Sequence, residues 1–101
     1  MTSQGSAYAR FRRSLLTKNL TLIDAAAVEL PHISLDDALR ILVVMAEKSD
    51  PRYERAAARW AARATSEKRL DLAATRRVLA LVDVLPTAPD AVSLKLRELC
   101  R

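Results

Sequence analysis

The chain contains very little glycine and few aromatic residues: one Gly, four Pro, one Trp, two Tyr and one Phe in 101 residues. Alanine is abundant instead, with 18 copies. Because alanine is the best helix former and glycine is among the poorest, this composition favours helices. No period-2 run of β-branched residues is long enough to form a strand. We therefore expect an all-α fold.

The sequence also lacks the features of secreted and membrane proteins. Its single cysteine, Cys100, cannot form an internal disulfide, so nothing indicates an oxidising compartment. The longest unbroken apolar run covers residues 41–46, far fewer than a bilayer span requires. Residues 1–6 are not followed by an apolar signal region. These absences predict a cytoplasmic protein without a membrane span.

Residue clusters that support catalysis or metal binding are missing as well. The only histidine, His32, follows Pro31 and is expected in a turn. The sequence has no Gly-rich phosphate loop and no Cys/His cluster with the spacing of metal ligands. The adjacent Asp36 and Asp37 diverge by about 100° on a helix, which favours an interaction with the helix dipole over an acid and base pair. We expect no enzyme activity, no catalytic residue, no metal and no cofactor.

The distribution of apolar residues and helix breakers predicts one domain of five or six short helices. Residues 1–5 are expected to be disordered, and residues 6–101 to form the helical domain. Connections are short throughout, so consecutive helices should pack as antiparallel hairpins. The predicted helices cover residues 6–17, 22–30, 34–48, 51–66, 72–85 and 88–100.

The third predicted helix, residues 34–48, is apolar around most of its circumference. Its polar residues fall within an arc of roughly 120° on a helical wheel. A helix with so narrow a polar stripe must be covered by neighbours on two sides, so we expect it to be the central helix. The residues of the polar arc are Asp36, Asp37, Arg40, Glu47 and Lys48.

Five helix starts are marked by side chains that cap helices. Three have the pattern S/T-x-x-D, in which the hydroxyl accepts a hydrogen bond from the third residue's N–H and the Asp favours the positive end of the dipole. Of the other two, one is an Asp followed by Pro at the first helical position, and one is an Asp before the fifth helix. The predicted N-caps are Thr21, Ser34, Asp50, Asp71 and Thr87.

The formal net charge of +5 is unevenly distributed along the chain. Residues 1–23 contribute +4, residues 24–48 contribute −3, and residues 49–69 contribute +3. One interpretation is that the basic and acidic segments attract one another inside the fold. The other is that the basic segments form a nucleic-acid footprint.

The fourth predicted helix carries a ridge of arginines beside an apolar face that includes Tyr53 and Trp60. The ridge falls within about 80° of arc and is about 16 Å long. It could contact an acidic partner or phosphate groups, with Trp60 as an anchor. Alternatively, Trp60 belongs to the core, and the arginines pair with acids of the second and third helices or face water. The arginine ridge consists of Arg52, Arg55, Arg59 and Arg63.

Together these features predict a small, non-catalytic protein-interaction or accessory module that uses the arginine ridge to bind a partner protein, which could be acidic. The alternative is a nucleic-acid-associated protein that holds the phosphate backbone through the ridge and the arginines of the first helix. Homo-oligomerisation is left open. The first-helix arginines in that alternative are Arg10, Arg12 and Arg13.

Three runs of sequence resemble a group of short, uncharacterised helical proteins from high-GC actinobacteria. They are Asn19-Leu-Thr-Leu through Glu29-Leu-Pro31, Ser34-Leu-Asp-Asp-Ala-Leu, and Asp50-Pro-Arg-Tyr-Glu-Arg-Ala-Ala-Ala-Arg-Trp60. The last of these is the most specific. The resemblance implies a bacterial cytoplasmic protein, and it implies no particular activity and no functional residues.

Overall fold

The structure, a computed structural model, describes residues 3–101, and within them it is all-helical. The prediction of an all-α array of five or six helices is confirmed. The first helix begins at Ser3 rather than Ser6, and residues 1 and 2 of the segment expected to be disordered lie outside the described residues. The elements are α1 (Ser3–Thr17), α2 (Leu20–Val28), α3 (Leu35–Glu47), α4 (Tyr53–Glu67), α5 (Leu72–Val84), a 3₁₀ turn (Leu85–Thr87) and α6 (Pro89–Leu99).

Helix α3 is the centre of the molecule, as its apolar circumference predicts. It lies against α1, α2, α4 and α6. Leu39 and Leu42 are almost completely buried in the main core, where they pack with residues of α4, α5 and α6. On the other side, Val44 joins a smaller apolar cluster with Phe11 of α1 and Ile23 of α2. Covering α3 on both sides removes its apolar surface from water, the dominant stabilising effect in a fold of this size.

Two side-chain hydrogen bonds show that the consecutive helices α3, α4 and α5 run antiparallel. The indole Nε1–H of Trp60, at the middle of α4, donates to the carbonyl oxygen of Leu35 at the start of α3 over 3.0 Å. The hydroxyl of Tyr53, at the start of α4, donates to the carbonyl oxygen of Val82 near the end of α5 over 2.5 Å. Short turns force this arrangement, because they bring the end of one helix next to the start of the following helix.

Two of the predicted N-caps are confirmed outright. The Ser34 hydroxyl accepts a hydrogen bond from the Asp37 N–H, and an Asp71 carboxylate oxygen accepts one from the Ala74 N–H. Asp50 also binds the start of its helix, since its carboxylate accepts from the Arg52 N–H.

The other two predicted N-caps are wrong. Asn19, and not Thr21, caps α2: its side-chain oxygen accepts hydrogen bonds from the N–H groups of Thr21 and Leu22. The helix therefore begins at Leu20, before Thr21. Thr87 belongs to the 3₁₀ turn, and α6 begins at Pro89 without a side-chain cap.

The polar arc predicted on α3 does not face water throughout, because Asp37 is buried. Its side chain is only 6% exposed and accepts hydrogen bonds from the Tyr8 hydroxyl at 2.9 Å and from Arg12 Nη1 at 2.8 Å. Arg40 Nε lies 3.6 Å from the same carboxylate. Side chains of α1 cover the start of α3, so this carboxylate is buried among cations and a phenol, and it ties α1 to α3.

Three helices end on left-handed residues that are not glycine. Lys18, Ser49 and Arg69 have φ angles of 55°, 52° and 50°. After Ser49, the Asp50 N–H bonds back to the Met45 carbonyl oxygen, which completes the pattern typical of helix C-termini. Glycine normally occupies such positions, so the scarcity of glycine is accommodated at some cost in backbone energy.

Among residues 3–101 no helix combines the length and the apolar character needed to cross a bilayer.

Candidate partner-binding site

Helix α4 turns its apolar side into the core, and this decides how Trp60 is to be interpreted. Trp60 is 5% exposed, and its N–H is bound to the main chain of α3, so it is a core residue and not an exposed stacking platform. The other buried residues of α4 share this side: Tyr53, Ala57, Ala61 and Ala64. The arginine ridge occupies the remaining surface of the helix.

Arg52 is held by two carboxylates from within the molecule. Its Nε lies 3.0 Å from Asp50 Oδ1, and its Nη1 lies 3.3 Å from Asp24 Oδ2 of α2. Hydrogen bonds to Asp50 and then to Asp24 raise the pKa of Arg52 above its ordinary value, and the bonds from Arg52 lower the pKa of Asp50. Because its guanidinium is hydrogen-bonded to two carboxylates, Arg52 has few N–H donors left for a partner protein.

Arg63 is also engaged inside the fold. Its Nη2 donates to the carbonyl oxygen of Ile33 over 2.6 Å, and its Nε donates to Glu67 one turn further along α4. The side chain is 29% exposed. Arg63 therefore fixes the loop before α3 against α4.

Arg55 and Arg59 differ from their neighbours in the arginine ridge. Both are exposed, and neither forms an ion pair or a hydrogen bond through its side chain within residues 3–101. They lie one turn apart, so their charges act on the same stretch of surface. The structure thus divides the ridge: Arg52, on the surface, and Arg63, partly buried, are bound to other residues of the chain, while Arg55 and Arg59 present free guanidinium groups within the described residues.

The arginines of α1 are divided in the same way. Arg10 pairs with Glu29 at 3.0 Å, and Arg12 pairs with the buried Asp37. Arg13 is exposed and has no ion pair among the described residues. Of the seven arginines considered as nucleic-acid contacts, four are therefore already bound to carboxylates: Arg10, Arg12, Arg52 and Arg63.

Several ion pairs join the basic segments to the acidic ones, as the first interpretation of the charge distribution expects. They link α1 with α2 and α3, α2 with the start of α4, and α3 with α6. Ten basic side chains are left without an ion pair in residues 3–101, and they lie mainly on α4, on α5 and in the turn between them. These are Arg13, Lys48, Arg55, Arg59, Lys68, Arg69, Arg76, Arg77, Lys95 and Arg101.

An apolar groove runs between α3 and α4, and of the two free ridge arginines Arg59 lines it whereas Arg55 does not. Its volume is about 340 Å³. Arginines line its α4 side, and Asp24, already bound by Arg52, is its single acidic residue. Its apolar lining, which we call the groove floor, consists of Ile33, Ala38, Ile41, Leu42, Met45, Ala56 and Trp60; its rim consists of Arg52, Arg59 and Arg63.

A second cleft, of about 400 Å³, lies between the start of α3 and the ends of α4 and α6. Cys100 lies at its base, and burial raises the pKa of the thiol although Lys68 acts in the opposite direction. His32 is exposed at its mouth, in the loop before α3. Within residues 3–101 no group of three or more His, Cys, Asp or Glu is placed to hold a metal ion.

The comparisons with known proteins found no matching family model, no matching curated protein and no matching solved structure. The resemblance to actinobacterial helical proteins therefore stays a prediction from the three runs of sequence.

The groove is the feature that the sequence did not reveal. The spacing of the arginines predicted one side of the surface, whereas the apolar floor depends on how α3 and α4 pack. One signal was present: α3 is apolar over a wider arc than a single neighbouring helix can cover. Small residues at the contact, Ala38 and Ala56, leave the depression between the two helices partly open.

Proposed function

We propose that this protein is a small, non-catalytic interaction module that binds an acidic partner protein through the α3–α4 surface. The observation that supports the proposal most directly is the contrast within the arginine ridge. Arg52 and Arg63 are bound by other residues of the chain, whereas Arg55 and Arg59 have no side-chain partner within residues 3–101, and Arg59 lines an apolar groove. Exposed, unpaired guanidinium groups next to apolar surface are typical of protein-binding sites.

The charge around the groove favours an acidic partner. The only carboxylate lining it is Asp24, whose charge is balanced by Arg52, so the α4 side of the groove is cationic. An acidic protein approaching this side would be steered by a field of one sign. We further propose a cytoplasmic location, since a binding site of this kind needs neither a disulfide nor a lipid surface.

Nucleic-acid binding remains a second candidate because, within residues 3–101, ten basic side chains have no ion pair, and the chain has a net positive charge. Of the seven arginines first considered for this role, Arg13, Arg55 and Arg59 are the ones without an ion pair in the part of the chain that the structure describes. If these three arginines neutralise phosphates, a plot of the logarithm of the DNA-binding constant against the logarithm of the salt concentration should have a slope of roughly −3. A steeper slope would require further unpaired basic residues, such as Lys68 and Arg69 after α4 or Arg76 and Arg77 of α5.

The proposal is tested by capture of binding proteins from a nuclease-treated cell extract. Three baits are compared: the unaltered protein, the double variant Arg55→Glu/Arg59→Glu, and the double variant Arg76→Glu/Arg77→Glu. Both variants replace two exposed, unpaired arginines, so they change the net charge equally. We expect the unaltered protein and the Arg76→Glu/Arg77→Glu variant to capture acidic proteins that the Arg55→Glu/Arg59→Glu variant does not capture.

Two results would count against the proposal. If all three baits capture the same proteins, the α4 arginines are not the contact. If capture is lost on nuclease treatment while duplex DNA binds with the expected salt slope, the second candidate is correct instead. Circular dichroism should show the same helical signal for all three proteins, since exposed substitutions away from other contacts change stability by only about 0.5 kcal/mol.

A further inference from the structure

The groove between α3 and α4 has the dimensions of a receptor for one short helix. Its floor extends along α3 from Ala38 to Met45, seven residues or about 10 Å at the rise of an α-helix. An amphipathic helix with apolar residues at positions i, i+4 and i+7 presents them over the same length of about 10 Å. Binding of such a helix in a groove between two helices is a recurrent mode of peptide recognition.

The two sides of the groove differ in charge, and this defines which flank of the bound helix is acidic. On the α4 side the rim is formed by Arg52, Arg59 and Arg63, of which only Arg59 lacks an internal partner. Arg55 does not line the groove, but it is exposed one turn from Arg59 on the same helix and adds to the positive charge of the α4 side. On the α3 side the lining residues are apolar, among them Ala38 and Ile41.

We infer that the occupant of this groove is an amphipathic helix of a partner protein, with three apolar residues on the groove floor and acidic residues along the edge that faces Arg55 and Arg59. The inference rests on the proposed function and specifies the partner's chemistry. Helical binding segments of this type that are unfolded alone pay an ordering cost on association, so we expect moderate affinity.

The inference is tested with three synthetic peptides of roughly 15–20 residues, long enough to form a helix on binding. The first has Leu at i, i+4 and i+7 with Glu on one flank. The second has the same composition with the Leu positions moved off a common face. The third has Lys in place of Glu. Binding is followed by anisotropy of a label on the peptide and by the emission of Trp60, the only tryptophan, which lies on the groove floor.

We expect the first peptide to bind at least about tenfold more tightly than the others, a difference of about 1.4 kcal/mol. It alone should change the emission of Trp60. If the second peptide binds as well as the first, the groove does not select a helix and the inference fails, while an electrostatic contact through Arg55 and Arg59 would still stand. If the third peptide binds as well as the first, the arginines are irrelevant and the proposed function fails with the inference.

A pair of alanine variants locates the binding site without changing charge. Ala56 lies partly exposed on the groove floor, and replacing it with Met places a longer apolar side chain in the groove. Ala58, exposed elsewhere on α4, is the matched control. Met is a good helix former, so neither change should disturb α4. We expect Ala56→Met to weaken the first peptide by about tenfold and Ala58→Met to have no effect; equal affinity for both variants would place the peptide outside the groove.

Discussion

The indole of Trp60 is hydrogen-bonded to the main-chain carbonyl oxygen of Leu35 at 3.0 Å, and this contact sets how α4 lies along α3. Leu35 is the first residue of α3, whereas Trp60 lies at the middle of α4. The bond is buried, so breaking it would leave a polar atom without water or a partner. With this register fixed, Arg59 is placed at the rim of the groove and Ala56 on its floor.

Replacing Trp60 tests this contact. Trp60→Phe keeps an aromatic ring in the core but removes the donor to the Leu35 carbonyl oxygen. We expect a loss of about 1–2 kcal/mol in the free energy of unfolding, from the broken hydrogen bond and the smaller ring. Trp60→Ala should cost about 3–5 kcal/mol. Urea denaturation followed by circular dichroism measures both; a Phe variant as stable as the unaltered protein would show that the hydrogen bond contributes nothing.

The buried Asp37 should make Arg12 far more important for stability than Arg10, although both arginines lie on α1 and both form ion pairs. Arg12→Gln leaves a carboxylate that is only 6% exposed without its closest cation. Because the Arg12 side chain is itself 43% exposed, we expect a loss of about 1–2 kcal/mol, below the range for a fully buried pair.

The matched control for this prediction is Arg10→Gln. Arg10 and Glu29 are each about half exposed, and such surface pairs contribute about 0.2–1 kcal/mol at most. Both variants are measured by urea denaturation and by hydrogen exchange of α1 amides. Equal losses from the two substitutions would mean that burial of Asp37 has no energetic consequence.

The raised pKa of Tyr53 predicts that the protein loses stability at alkaline pH. Burial, together with the charge of Asp83, raises the pKa of Tyr53 from 10.0 to about 12. The unfolded chain therefore ionises this phenol at lower pH than the folded chain, so stability is complete below about pH 10 and falls until about pH 12. The expected loss is about 2–3 kcal/mol.

The variant Tyr53→Phe isolates this effect. It should be less stable at neutral pH because it lacks the hydrogen bond to the Val82 carbonyl oxygen, and its stability should change less over the alkaline range. Ultraviolet absorbance of tyrosinate provides an independent titration. If the unaltered protein and the variant lose stability in parallel, Tyr53 is not the responsible group.

The left-handed backbone of Ser49 predicts that its replacement by glycine stabilises the fold. A residue with a side chain at φ 52° is strained relative to glycine, so Ser49→Gly should raise the free energy of unfolding by about 0.5–1 kcal/mol after the entropy cost of glycine. Ser66 lies in the last turn of α4, where Ser66→Gly should instead lower it by about 0.5–1 kcal/mol. Thermal unfolding of the two variants gives the signs; a destabilising Ser49→Gly would contradict the expected strain.

The features that could be predicted from the sequence are those encoded over a few residues. Ser34 and Asp71 cap their helices as expected, because a cap involves only the next three residues. The apolar circumference of α3 predicted its central place, because such a helix must be covered on two sides. The all-α class followed from the same local preferences.

The features that could not be predicted depend on contacts between distant segments. The alternative that ridge arginines pair with acids of the second helix holds for Arg52 and Asp24, but the spacing of the ridge did not show which arginine would do so, or that Arg63 would reach the Ile33 carbonyl oxygen. The burial of Asp37 likewise depends on where α1 packs. These contacts leave Arg55 and Arg59 as the free members of the arginine ridge, a distinction that the helical wheel cannot make.

The α3–α4 surface is the proposed binding face. The most direct measurement is a map of backbone amide chemical shifts during titration with the acidic amphipathic peptide. We predict that the largest changes fall on Ala38, Ile41, Ala56 and Arg59 and that they disappear in the Arg55→Glu/Arg59→Glu variant. Changes concentrated on α5 and α6, or unaffected by that variant, would contradict it.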